Sequence, residues 1–97
     1  AWAKVEDANL MVMHAAALYD AGEPCGVEAN ASKLLAAEAA VEATQTAQMT
    51  FGGFGYAKEY HIERLVREAL LFHIVPVTPQ MLMSFIAEKA LGLPKSY

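Results

Sequence analysis

The chain is 97 residues long, 56% hydrophobic, and carries a formal net charge of -4. That length holds one small domain, and the acidic balance, with only 7 Lys and Arg and no basic run, excludes a nucleic-acid surface. No window approaches the ~18 consecutive apolar residues of a membrane span, so none is predicted.

The first segment, Ala1 to Ala21, places Trp2, Val5, Val12, Ala16 and Tyr19 near one face at helical spacing. Lys4, Glu6 and Asp7 near its start do not have the pattern of a secretory signal. Gly22 stops the segment, and "GEPCG" is a turn holding Cys25. A lone cysteine forms no internal disulfide, so the default setting is a reducing cytoplasm.

The second segment, Val27 to Thr50, is dominated by alanine. Its charges, Glu28, Lys33, Glu38 and Glu42, leave most of its circumference small or apolar, which predicts a central position in a bundle. "TFGGFGY" (Thr50 to Tyr56) follows, then a shorter helix, His61 to Ile74. Ile62, Leu65, Val66, Ala69 and Phe72 are its expected buried side. Glu63 with Arg67, and Arg64 with Glu68, are expected i,i+4 pairs on the wet side.

Pro76 ends that helix. Thr78 as N-cap and Pro79 in the first helical position start the last one, which runs to Leu91 before Gly92 and Pro94. The tail "LPKSY" is expected to pack or fray. No stretch sustains strand-like alternation, so the expected fold is all-α, an up-and-down helical bundle. The chain opens on Ala1, its periodicity starts without a cap, and its apolar content exceeds what so short a chain encloses. These features predict a fragment, or a subunit that buries surface against others.

Few residues point to chemistry by themselves. His14, His61 and His73 fall on different segments, and Glu59, His61 and Glu63 alternate around a helix, so no metal site is predicted. Met11, Met13, Met49, Met81 and Met83 read as core filler. "GGFG" lacks the preceding strand and the spacing of a dinucleotide fingerprint, and no Walker lysine follows. On spacing alone the turn reading is favoured over a phosphate loop.

The phrase "FGGFGYAKEYHIERLVREA", placed between an alanine-rich helix and "TPQ", resembles the C-terminal helical domain of the acyl-CoA dehydrogenase family. The residues carrying it are Gly52, Gly53, Gly55, Tyr56, Glu59, Tyr60, Glu63, Arg64, Arg67, Glu68 and Ala69, with "EANASKLLAAEAA" upstream similar to the family's second bundle helix. The resemblance covers essentially the whole chain. It implies a four-helix bundle whose first helix is largely missing, and a parent flavoprotein that removes a proton and a hydride beside an acyl-CoA thioester. Members are usually tetramers built from dimers, which implies self-association.

Carried over by position, Phe51, Gly52 and Gly53 would touch the FAD of the neighbouring subunit near its pyrophosphate. Thr78 and Gln80 match the Thr and Gln of the family's E-G-T-x-Q stretch, which also contacts FAD. The family's glutamine three residues before the first glycine falls on Met49, with Gln48 beside it, so no glutamine contact is carried over. The catalytic glutamate falls on Pro76, which offers neither a base nor a backbone N–H for the thioester oxygen. No catalytic residue is therefore assigned.

Three readings follow. The parent is an acyl-CoA dehydrogenase with its base on the absent first bundle helix; or a related flavoprotein with altered or lost chemistry; or the chain is a structural oligomerisation module whose glycines only turn. In each, the isolated chain is expected to be inactive.

Overall fold

The computed structural model describes residues 1–95; Ser96 and Tyr97, the end of the expected tail, lie outside the described residues. Helix α1 spans Trp2–Asp20 and helix α2 spans Gly26–Phe51, 26 residues or about 39 Å of rise. After the glycines come a single turn of helix, α3 (Gly53–Tyr56), and a 3-10 turn at Lys58–Tyr60. Helices α4 (Ile62–Ile74) and α5 (Pro79–Leu91) complete the chain, and no strand occurs among the described residues. The boundaries fall within a residue or two of those expected from periodicity and stop signals.

Helix α2 is the hub. Helices α1, α4 and α5 each pack on it rather than extensively on one another. The Lys4–Glu42 ion pair sets the start of α1 beside the second half of α2, so the two run antiparallel. Lys33 on α2 donates to the Phe72 carbonyl at the end of α4, which makes α4 antiparallel to α2 as well. Alanine at the contacts allows close approach: Ala8 of α1, Ala37 and Ala39 of α2, and Ala69 of α4 are all buried. Ser32, also buried, is satisfied by donating to the Glu28 carbonyl at 2.7 Å.

Two expected faces are corrected. Of the expected stripe of α1, Trp2 and Tyr19 are 77% and 75% exposed, and Val5 and Val12 only border the packed face. The packed face is Ala8, Met11, Ala15 and Leu18. Helix α1 has apolar residues on more than one face, with polar ones scattered between them, so periodicity cannot choose between faces, and the small residue at the centre of the second stripe fits the alanine surface of α2. On α4 the inward row is Ile62, Val66, Ala69 and His73, while Leu65 and Phe72 are exposed. The Arg67–Glu63 and Arg64–Glu68 pairs form on its surface, at 3.0 and 2.9 Å.

The bundle is open. Its radius of gyration is 15.8 Å, against roughly 13 Å for a compact domain of this length. Large side chains including Leu10, Met13 and Phe72 remain mostly exposed, and a groove of about 300 Å³ between α1 and α2 is lined by Val5, Ala8, Val12, Ala36 and Ala39. The stretch Ile62–Leu91 has the length and apolarity of a membrane span, but it is two helices of 13 residues each, interrupted at 75–78. Each is about 20 Å long, short of the ~30 Å hydrocarbon core.

Candidate functional site

The glycine turn caps the exposed C-terminal end of α2. Gly52 has φ 61° and ψ -136°, a combination that strains any residue with a Cβ, and it lets the chain leave the helix abruptly. Its N–H donates to the Met49 carbonyl at 3.1 Å, and the Gly55 N–H donates to the Gly52 carbonyl at 3.0 Å. Gly53 has no atom within 4 Å of where a Cβ would sit, so the space beside its Cα is open. Gly55 is the reverse: it is buried, and a Cβ there would collide with the Gln48 main-chain carbonyl. Phe51, Gly52 and Gly53 thus sit together on the surface.

Aromatic rings surround the turn. Tyr60 lies 5.1 Å from Phe54 and 6.5 Å from Phe51, ring centre to ring centre, both tilted. Beside them runs a groove of about 500 Å³ lined by Gln48, Met49, Gly52 and Tyr56. Behind the turn, His61 adopts a left-handed φ of 65° as the residue that opens α4. Glu63, in the first turn of α4, is held below the usual carboxylate range by its hydrogen bond from Arg67. The same bond raises Arg67.

The other predicted contacts lie elsewhere. Thr78 is the N-cap of α5, its Oγ1 accepting from the Met81 N–H at 3.4 Å, and Pro79 fills the first helical position as expected. Gln80 is exposed on the first turn. The end of α4 is anchored at Lys33, 19 residues before Gly52 on α2, which is about 28 Å of helix. One chain therefore does not bring Thr78 and Gln80 to Phe51, Gly52 and Gly53. Pro76 stands between them and α4 in an exposed loop, after a cis Val75–Pro76 bond, flanked by Val75 and Val77. The nearest titratable side chain before it, His73, faces the packed side of α4 with its Nδ1 buried and unpartnered.

Among the described residues no three His, Cys, Asp or Glu groups gather as a metal site would require. One contact escaped the sequence. Gln48, passed over because it is one position from the family's glutamine, sends its amide across the turn to the Gly55 carbonyl at 3.3 Å. Its only signal was its place one helical turn before the first glycine.

Comparison with known proteins fits this geometry to a family. The family described as "Acyl-CoA dehydrogenase, C-terminal domain" matches residues 1–91. The chain is 42% identical over 96 residues to the Acyl-CoA dehydrogenase FadE12 of Mycobacterium tuberculosis (strain H37Rv), covering 97% of this chain and 25% of that protein. It is 39% identical over 89 residues to an acyl-CoA dehydrogenase of Bacillus subtilis (strain 168), covering 92% and 24%. A solved structure titled for the electron transferring flavoprotein of Acidaminococcus fermentans superimposes with a TM-score of 0.85 at 36% identity, over 92% of this chain and 23% of that one. The chain spans about a quarter of the length of these relatives. Its turn, its helix order and these matches agree: the chain belongs to the acyl-CoA dehydrogenase family and matches that family's C-terminal helical domain.

Proposed function

We propose that this chain is the C-terminal part of an FAD-dependent acyl-CoA dehydrogenase, an oxidoreductase acting on the CH–CH bond next to an acyl-CoA thioester, and that Phe51, Gly52 and Gly53 contact the FAD of a neighbouring subunit. The observation that carries this reading is the open main chain at Gly52 and Gly53 on an exposed helix end, in a chain of this family. A pyrophosphate can approach main-chain groups closely only where no side chain intervenes. The Gly52 N–H is engaged by the Met49 carbonyl, so the approach would be to the Gly53 main chain, with Gly52 contributing its lack of a Cβ. Bound FAD would supply the hydride acceptor. This chain's part is to hold the cofactor and to close the assembly.

Thr78 and Gln80 would contact FAD from the opposite end of α2, so the two sets serve different cofactor molecules in a dimer or tetramer. The unclosed bundle and its exposed apolar side chains support self-association. Alone, the chain is inactive, because it supplies no base at Pro76 and only part of the cofactor's surroundings. A cytoplasmic location goes with the reading.

Pro76 favours a second reading, a flavoprotein of this family with altered or lost acyl-CoA chemistry. Anaerobic titration of the full-length protein with a panel of acyl-CoA thioesters separates the two. Bleaching of the flavin by any member supports the dehydrogenase, with a base from outside this chain. A bound flavin that no thioester bleaches supports the second reading, and a full-length protein that holds no flavin overturns both.

A further inference from the structure

Gln48 holds Gly55 in two ways at once. Its main-chain carbonyl lies directly beneath the Gly55 Cα, so that a Cβ would come within 3.1 Å of both the carbonyl carbon and Cα of Gln48. Its side-chain Nε2 donates to the Gly55 carbonyl at 3.3 Å. Among the described residues this is the one side-chain hydrogen bond that ties α2 to the turn. Gly52 and Gly53 lie between the two anchored residues. Met49, the neighbour, is 81% exposed and has no hydrogen-bond donor on its side chain.

We infer that Gln48 is the positioning residue of the glycine turn: by pinning the Gly55 carbonyl to α2, it fixes the direction in which the Gly52–Gly53 main chain faces its ligand. The inference rests on the flavin reading above. A turn of small residues has many accessible backbone states, and a donor that holds one of them removes an ordering cost from binding.

The test uses the full-length protein and free FAD as the probe. Gln48→Met keeps the length of the side chain and removes the donor. The expected result is an FAD dissociation constant about fivefold weaker, the equivalent of about 1 kcal/mol, with the apoprotein's Tm and oligomeric state unchanged. Gly55→Ala, whose Cβ would collide with the Gln48 main-chain carbonyl and push Gly55 away from α2, should weaken FAD at least as much, and the double variant should be no weaker than Gly55→Ala alone. Wild-type FAD affinity in Gln48→Met overturns the inference and leaves the flavin reading standing. So does a loss of affinity that follows a matching fall in Tm, since the role is then structural. A wild-type protein that holds no FAD overturns the flavin reading, and the inference with it.

Discussion

At the C-terminal end of α2 the chain reverses on glycines, with main-chain groups bonded inside the turn and Gly53 facing open space. At the other turn, between α4 and α5, the work is done by side chains: Lys33 reaches the Phe72 carbonyl, Thr78 caps α5, and Pro79 starts it. The first arrangement leaves two successive residues, Gly52 and Gly53, without side chains on the surface. The second packs and caps a turn whose middle, Val75 to Val77, carries no polar side chain. The family's chemistry would belong to the second turn, yet the features suited to a cofactor are better developed at the first. On the proposed reading, the domain would keep the contacts it offers a cofactor while Pro76 supplies no base.

Substitutions at the two turns should separate these roles, and the largest effect belongs to the packing of α5. Leu82 is 2% exposed, so Leu82→Ala should lower unfolding free energy by about 2–5 kcal/mol in denaturant titration of the full-length protein. A loss below that range would mean that α5 packs on α2 more loosely than described. Next comes Gly52→Ala, which forces a Cβ onto φ 61° and should cost about 1–3 kcal/mol by the same titration. No change would show that the turn relaxes freely, and the contrast between the two ends would then dissolve. Thr78→Ala removes the cap of α5 and should cost about 1 kcal/mol, with Thr78→Ser close to wild type.

The smallest effect is electrostatic. Glu63 titrates below its ordinary value of 4.5 because Arg67 donates to it, so its contribution is present above that value. As pH falls through the lowered value, the carboxylate is protonated and the contribution is lost. Melting temperatures of wild type and Glu63→Gln should therefore differ slightly near neutral pH and converge in acid. A difference that persists in acid would show that the pair is not its source. Both groups are on the solvent side of α4, and such pairs are weak and salt-screened.

Much of the scaffold was legible in the sequence because its punctuation is explicit. Gly22, Pro76, Thr78, Pro79 and Gly92 mark helix ends by backbone chemistry that acts locally, and the surface pairs of α4 follow from i,i+4 spacing. Which face of α1 packs was not legible, since Trp2 and Tyr19 lie outside while Ala8 lies inside. Periodicity ranks hydrophobicity, whereas an alanine-rich partner selects small size. At the site, the glycine phrase was visible, but the hold of Gln48 on Gly55 was not. That contact bridges two elements whose geometry depends on the backbone angles at Gly52, and no spacing rule encodes it.

The most direct test of the account is Gly53→Glu in the full-length protein. Gly53 is outside the positive-φ region and has no atom within 4 Å of where a Cβ would sit, so the variant should fold with a stability change of at most about 0.5 kcal/mol. If the main chain at Gly53 meets the pyrophosphate of FAD, the new carboxylate occupies that space with like charge. The expected result is then apoprotein of normal Tm that no longer retains flavin. Flavin retained at wild-type stoichiometry and affinity would contradict it, and the glycine turn would be only a turn.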